Sequence, residues 1–250
     1  MKRAGRANNA VGSGAMAAGL VLALATVVGP TVCTFGRAQE AHHDETGYPR
    51  AESELLVSVE VYNYAAVPEA TLIKSETETH RIFAKGGVKV DWCNCVILGK
   101  RVKCSSRDHS LSAVKMHLSI LPGAMAKRLG ASDRDGGFAT ECPAGETACQ
   151  AYVFYDCAVD LLRAGCCADA GLWQILGVMA AHELGHLLLG IGSHSPVGVM
   201  RPRWDAPQYQ AAARGQLVFT PQQAERLRAE LRKRMALRKG PAGADGQFSR

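Results

Sequence analysis

The sequence predicts an α+β fold, a single domain in which a small twisted mixed sheet packs against helices. Two patterns carry this prediction. Apolar residues alternate with other residues at 55–64 and 113–121, as in strands with one buried face, and long segments at 170–189 and 220–238 have the periodicity of helices. The 250 residues are 47% hydrophobic and 21% charged. This balance excludes wholesale disorder, a collagen-like chain and a multi-pass membrane protein.

The first half of the domain predicts strands around one helix. Residues 55–64 predict the first strand, with valines at alternate positions. Residues 71–85 predict a helix that ends at the Gly-Gly pair following it, and residues 88–92 and 113–121 predict two further strands. The helix is expected to turn four apolar side chains inward: Leu72, Ile73, Ile82 and Phe83.

The second half of the domain is expected to be mainly helical. Residues 122–129 predict a short helix, 132–146 a surface loop rich in Gly and Asp, and 151–155 a compact strand. The segment 170–189 predicts a strongly apolar helix, and 220–238 predicts the last one. That last helix has Thr220 as N-cap, Pro221 at its first position, and Ala224, Leu227 and Leu231 along one side.

The N-terminal residues are typical of a secretory signal peptide. A positively charged start precedes an unbroken run of about 14 apolar and small residues at 15–28, and small residues precede a plausible cleavage before Gln39. The run is shorter than the roughly 20 residues that span a bilayer. We therefore expect a secreted or periplasmic protein, without stable membrane insertion once the signal is removed. A membrane anchor formed by an uncleaved signal is the alternative.

These features divide the chain into four parts. Residues 1–38 are the predicted signal peptide, 39–54 a flexible lead-in, 55–239 the domain that carries the chemistry, and 240–250 a disordered tail. The net charge of +6 falls to +2 without the signal, because 25 basic and 23 acidic residues remain. A net charge this close to zero in the remaining chain does not indicate nucleic-acid binding. The basic residues of the last helix are interpreted as a solvated face: Arg226, Arg228, Arg232, Lys233 and Arg234.

The number of cysteines is consistent with an exported protein. Nine are present, and eight remain after Cys33 leaves with the signal. An even number in an exported chain indicates disulfides, and the absence of any CxxC pair disfavours a structural zinc site. Cys142 and Cys149 are placed to close a short loop, whereas the adjacent Cys166 and Cys167 are expected to bond to different partners.

The chemistry-bearing stretch begins with His-Glu-Leu-Gly-His at residues 182–186. On a helix, His182 and His186 project from neighbouring turns of one face, close enough to share a metal ion. Glu183 lies about 100° around the helix. It can therefore reach a water on the metal without binding the metal itself. This HExxH pattern indicates two zinc ligands and a general base.

A catalytic zinc ion needs a third protein ligand and an open position for water. The helix cannot supply that ligand, so the chain must turn back, which Gly190 and Gly192 permit. His194 follows as the natural third ligand. The alternatives for the third ligand are three acidic residues further along the chain: Asp205, Glu225 and Glu230.

With these residues and Met200, the stretch resembles the metzincin family of zinc endopeptidases, whose motif is HExxHxxGxxH followed by a Met-containing turn. It looks most like the matrixins, in which a Ser follows the third His, as Ser195 does here. It is also similar to a group of uncharacterised exported bacterial proteins with a HELGHLLLG…HSP…GIM…RW stretch. The spacing departs from the family motif, since eight residues rather than six separate His186 from His194.

The resemblance implies a zinc ion held by His182, His186 and His194, with Met200 beneath it as a base rather than a ligand. Glu183 would act as general base in the hydrolysis of a peptide bond. Trp204 stands where an aromatic residue commonly lies beside the specificity pocket of the family.

The substrate is accordingly expected to be a peptide or protein. The strand at Tyr152–Tyr155 is expected to lie at a sheet edge and to pair with an extended substrate. Two alternatives remain at this point: a zinc-binding module without turnover, and a zinc hydrolase of a non-peptide bond. The sequence does not indicate an oligomeric state.

Overall fold

The computed structural model of the protein describes residues 54–98, 101–104, 114–131, 136–144, 149–165 and 170–238. The predicted signal peptide, all but the last residue of the lead-in, the tail at 240–250 and the pair Cys166-Cys167 lie outside the described residues. The proposed division of the chain into those parts therefore stays a prediction.

The described chain contains six strands and six helices. In order they are β1 (Leu56–Asn63), α1 (Glu69–Lys85), β2 (Lys89–Leu98), β3 (Arg101–Cys104), β4 (Val114–Leu121), α2 (Gly123–Arg128), β5 (Gly137–Ala139), β6 (Cys149–Phe154), α3 (Tyr155–Arg163), α4 (Leu172–Leu189), α5 (Ala206–Ala213) and α6 (Pro221–Arg238).

The strands form one mixed sheet in the order β3-β2-β1-β4-β6-β5. The four central strands are parallel to one another, and the outer strands β3 and β5 pair antiparallel with their neighbours. Parallel neighbours require crossover connections, which α1 supplies between β1 and β2. The predicted class, a mixed sheet packed on helices, agrees with this architecture.

The core lies between the sheet and helices α1 and α4. Val57, Val59 and Val61 of β1 are each at most 1% exposed, as their alternation predicts. Helix α4 is long and apolar enough to cross a membrane by length and composition. However, 83% of its most apolar window is buried inside the domain, as expected for the core helix of a folded protein.

Helix α1 departs from its predicted burial at one position. Leu72, Ile82 and Phe83 are buried, but Ile73 is 50% exposed. Two glutamates, Glu76 and Glu78, are instead buried. The face of α1 that meets α4 therefore includes charged residues, which the apolar pattern alone could not indicate.

The prediction that the strand at 151–155 lies at a sheet edge is wrong. The three residues of β5 pair along β6, with Phe138 opposite Tyr152, so β6 is hydrogen-bonded on both sides. The loop prediction for 132–146 missed β5 because a three-residue strand leaves almost no periodic signal. Tyr155 is also outside the sheet, since it begins α3.

Helix α6 begins as predicted, but its basic residues are not all solvated. Thr220 and Gln223 form a reciprocal cap, in which each backbone N–H donates to the other's side chain at 3.2 and 2.9 Å. Arg234 is only 5% exposed. It donates to the carbonyl oxygens of Leu187 and Cys142, at 2.9 and 2.8 Å, and to the Glu230 carboxylate at 2.8 Å. The interpretation of α6 as a uniformly solvated basic face is therefore corrected.

Two disulfides lie within the described residues. One joins Cys142 to Cys149, as the spacing predicts, and the other joins Cys95 to Cys104 across the β2–β3 pair. The Cys93 sulfur lies within 4.8 Å of both sulfurs of the second bridge. Because two of these three sulfurs are oxidised, the group offers no set of three thiolates to a metal. The bridges are compatible with an extracellular location.

Candidate metal centre

Helix α4 carries three polar side chains among its buried residues. His182, Glu183 and His186 are 9%, 7% and 7% exposed, and they lie among buried leucines and alanines. Burial of imidazole and carboxylate groups is unfavourable unless they have partners. Their position near the C-terminal end of α4 places them beside the turn that follows it.

The turn after α4 depends on glycine conformations. Gly190 ends the helix with φ +95°, and Gly192 follows with φ +77°. An added Cβ at either position would meet no atom within 4 Å. The backbone conformation, rather than a lack of space, therefore favours glycine at both positions. This reversal returns His194 to the side of α4 that carries His182 and His186.

The three imidazoles converge on one point. The Nε2 atom of His186 lies 3.1 Å from that of His182 and 3.2 Å from that of His194. Within the described chain these three form the only His group whose ligand atoms lie within 4.8 Å of one another. The structure thus brings together the residues that the sequence predicts as zinc ligands.

Hydrogen bonds at the other ring nitrogens favour a metal at this point. His182 Nδ1 lies 2.8 Å from the carbonyl oxygen of Val199, and His186 Nδ1 lies 3.2 Å from that of Gly190. A carbonyl oxygen only accepts, so we assign the ring proton to Nδ1 in both residues. The Nε2 atoms then carry lone pairs that point at each other. A cation between them removes this repulsion, and imidazole nitrogens suit zinc.

Burial keeps the two candidate ligands on α4 neutral. Desolvation lowers the pKa of His182 to about 4, although its hydrogen bond to the Val199 carbonyl acts in the opposite direction. Desolvation also lowers the pKa of His186. Neutral imidazole is the form that binds metal ions. His182 and His186 are therefore in their metal-competent protonation state near neutral pH.

Met200 packs against α4 next to the candidate ligand His186. Its side chain is fully buried, and a Cβ added to Gly185 would lie 2.7 Å from the Met200 sulfur. Gly185, the residue between Leu184 and His186, therefore lets the turn approach the helix closely. The same turn provides the Val199 carbonyl that orients His182.

Glu183 packs against strand β5. A Cβ added to Gly137 would lie 2.9 Å from both Cγ and Oε1 of Glu183. The Gly136-Gly137 pair at the start of β5 was the available sequence signal for this contact, and the loop prediction passed over it. Close approach of the edge strand confines the Glu183 carboxyl beside the three imidazoles.

A cleft of about 810 Å³ contains the three imidazoles and Glu183. Its walls come from β5, from α3 and from the segment that follows Met200. Trp204 lines the cleft and packs edge-on against His182, with ring centroids 5.5 Å apart. The Trp204 Nε1 atom is buried without a hydrogen-bond partner in the described part of the chain.

Tyr152 and Tyr155, the ends of the strand that was predicted to bind the substrate, do not line this cleft. Tyr152 stacks on Phe138 of β5, with ring centroids 4.5 Å apart, and so supports the edge strand. Tyr155 starts α3. The α3 wall was missed by sequence analysis, although apolar residues at helical spacing (Ala158, Leu161 and Leu162) were a usable signal.

The acidic alternatives for the third ligand lie elsewhere. The Asp205 carboxylate lies 3.4 Å from the Arg201 guanidinium, and the Glu230 carboxylate lies 2.8 Å from the Arg234 guanidinium. The Glu225 side chain is exposed on α6. None of these belongs to the group of converging ligand atoms found among the described residues. His194 alone joins the two histidines of α4.

Comparison with known proteins leaves the family of this chain unassigned. No protein-family model matches the sequence. No curated protein matches it either. Among solved structures, the chain is similar to archaemetzincin from Methanopyrus kandleri, with a TM-score of 0.36 and 15% identity over 74% of this chain and 99% of that one. A likeness of this degree assigns neither fold nor function.

Proposed function

We propose that this protein is an exported zinc-dependent endopeptidase. One observation carries the proposal. The Nε2 atoms of His182 and His194 both lie within about 3.2 Å of His186 Nε2, at the wall of an open cleft that also holds a buried glutamate. Two of these three rings have Nδ1 hydrogen-bonded to backbone carbonyl groups. Three histidines and an open position are the ligand set of catalytic rather than structural zinc.

The residues present fit zinc, and His182, His186 and His194 would hold it. Bound zinc supplies a Lewis acid and lowers the pKa of water to roughly 7. The Val199 and Gly190 carbonyls keep two of the rings oriented for this purpose. Met200 packs beneath the rings as a base for the site rather than as a ligand.

Glu183 is the general base in this proposal. Its carboxyl group takes a proton from the attacking water and passes that proton to the departing amine. Contact with Gly137 restricts the side chain to the side of the cleft where the imidazoles converge. Such confinement favours proton transfer, because a general base must lie within hydrogen-bond reach of the reacting group.

Strand β5 is the proposed support for an extended substrate. Its three residues form the outer edge of the sheet and line the cleft. Unpaired backbone groups at a sheet edge can add a further strand, which suits a peptide main chain. The role first predicted for β6 passes to β5, while Trp204 remains the candidate wall of a side-chain pocket.

A metzincin-like active site, closest to that of the matrixins, is the proposed class. Support comes from the HExxH helix, the third histidine after a glycine turn, and the buried Met200 packed against that helix at Gly185. We propose that a signal peptide directs export, in agreement with the two disulfides. A peptide or protein is the proposed partner, with no nucleic acid and no stable membrane insertion.

Substitution of the general base tests the proposal. Glu183→Gln is expected to keep the zinc content of the purified protein, measured by mass spectrometry, and to abolish hydrolysis of a generic peptide mixture. His194→Ala serves as the matched variant, since it is expected to lose zinc as well as hydrolysis. Retained proteolysis in Glu183→Gln would refute the mechanism. Unchanged zinc in His194→Ala would refute the ligand set.

Two other functions are separated by the same assay. A zinc-binding module without turnover would bind the metal and cleave nothing, and a non-peptide hydrolase would cleave esters or other amides but not peptides. The open cleft supports turnover over a binding-only role. The sheet edge beside the imidazoles supports an extended peptide over a small substrate.

A further inference from the structure

Two arginines line one wall of the cleft, on the segment that follows Met200. Arg201 and Arg203 both belong to the cleft lining, with Pro202 between them. The fully buried Met200 precedes this segment, and Trp204, packed edge-on against a ring of the metal site, follows it. The segment is held at both ends and proline restricts its backbone. Its two guanidinium groups are therefore presented to the cleft from a constrained backbone.

The residues that the structure describes do not fully neutralise the charge of this wall. The Arg201 guanidinium lies 3.4 Å from the Asp205 carboxylate, and the Asp205 side chain is 59% exposed. Arg203 makes no hydrogen bond or ion pair with the described part of the chain. A guanidinium group stays charged at any pH at which the protein is folded. Among the described residues Arg203 therefore has no partner for its charge, and it lies in the lining of the cleft that holds the proposed reaction centre.

The wall formed by α3 has a different charge. Helix α3 contributes Asp160, Leu161 and Ala164 to the lining, and the Asp160 carboxylate pairs loosely with Arg163 at 3.4 Å. The cleft thus has a basic wall on the side of the Met turn and an apolar to weakly acidic wall on the side of α3. This asymmetry would orient a charged substrate.

We propose that Arg203, with Arg201 on the same wall, binds a carboxylate of the peptide substrate near the bond that is cleaved. The inference rests on the proposed function and adds a substrate class to it. These substrates are peptides with an acidic side chain, or a free C-terminal carboxylate, within reach of Arg201 and Arg203. Guanidinium groups suit this role because their planar donor pair matches a carboxylate in a bidentate arrangement.

Peptide binding tests the inference without turnover. Fluorescent peptides with a common apolar framework carry Glu or Gln at each position in turn, with a free or an amidated C-terminus. Their affinities for zinc-loaded Glu183→Gln protein are measured by fluorescence anisotropy. We expect at least one Glu peptide, or the peptide with a free C-terminus, to bind about tenfold more tightly than its neutral counterpart. The amidated series shows which carboxylate is bound.

Variants of the wall identify the residue responsible. In the Glu183→Gln background, Arg203→Gln is expected to abolish the preference for the carboxylate, and Arg203→Glu to replace it with a preference for Lys peptides. Arg232→Gln is the matched control, because it removes the same charge from an exposed position on α6. The preference should also weaken as salt is raised.

The outcomes separate this inference from the proposed function. Equal binding of the Glu and Gln peptides and of the free and amidated forms, or no binding of any peptide, overturns the carboxylate site. A preference that survives in Arg203→Gln overturns it as well. If the wild-type protein cleaves peptides without charge preference, only this inference fails. If carboxylate peptides bind selectively and none is cleaved, the site stands and the proposed peptidase activity fails.

Discussion

The Nδ1 atom of His182 lies 2.8 Å from the carbonyl oxygen of Val199. This contact ties the first candidate ligand on α4 to the turn that carries Met200. Gly198, the residue before Val199, has φ +77°, and a Cβ added there would lie 2.7 Å from the Val218 carbonyl oxygen. The orientation of the His182 ring therefore depends on a turn that glycine at position 198 permits.

Gly198→Ala is accordingly expected to weaken zinc binding. Both the positive φ and the contact with a backbone oxygen require the turn to shift, which moves the carbonyl that orients the ring. Loss of a hydrogen bond that orients a metal-binding histidine typically lowers metal affinity about 10- to 100-fold. Competition with a chromophoric chelator measures the change. Gly130→Ala is the control, since Gly130 has φ +80° but open space around it. It should cost stability and leave zinc affinity unchanged.

Gly137→Ala is expected to impair hydrolysis while zinc remains bound. The added methyl group would lie 2.9 Å from Glu183 and would also press on the Tyr152 backbone, so β5 and the carboxyl must separate. Displacement of a general base costs on the order of 100-fold in rate. The measurements are kcat/KM on a cleaved peptide and zinc content. Gly136→Ala, whose methyl would meet only the flexible end of Met179, should have a smaller effect. Equal effects of the two variants would contradict the role of the Gly137 contact.

The stability of the domain is expected to fall as pH rises from about 4.5 to about 7. Burial raises the pKa of Glu76 to about 7, while a hydrogen bond with Asn94 acts in the opposite direction. Glu76 Oε1 has no partner in the described part of the chain. Below the unfolded pKa both states are protonated. Between the two pKa values only the unfolded state releases the proton, so its free energy falls relative to the folded state.

Glu76→Gln isolates this contribution. A pKa difference of this size corresponds to about 3 kcal/mol of unfolding free energy, which the wild type should lose across the window and the variant should retain. Urea unfolding at about pH 5 and about pH 8 compares the two. Glu69→Gln, at an exposed position of the same helix, is the control and should follow the wild type. Parallel pH profiles for Glu76→Gln and wild type would show that Glu76 does not titrate as described.

Arg234→Met is expected to destabilise the protein by about 3 kcal/mol, because it removes the donor to one buried and one partly buried carbonyl group and also removes an ion pair. The guanidinium joins α6 to the last turns of α4 and to the Cys142 loop. Arg232→Met changes an exposed residue two positions earlier and should change stability by no more than about 0.5 kcal/mol. Chemical unfolding of both variants provides the measurement, and comparable losses would contradict the structural role of Arg234.

Local information in the sequence was enough for the chemistry carried by α4. His182, Glu183 and His186 occupy fixed positions on one helix, so their relative placement follows from helical geometry alone. The same is true of the cap at Thr220 and of the alternation in β1. In each case the interacting residues are within a few positions of one another, or share one regular element whose period is known.

Contacts between distant segments required the tertiary structure. The pairing of β5 with β6, the contact of Gly137 with Glu183 and the burial of Arg234 each join parts of the chain that the local pattern treats separately. The edge of a sheet, in particular, is a property of strand order and not of any strand's own residues. The motif thus determined which atoms can bind a metal, whereas packing determined which strand and which charges face it.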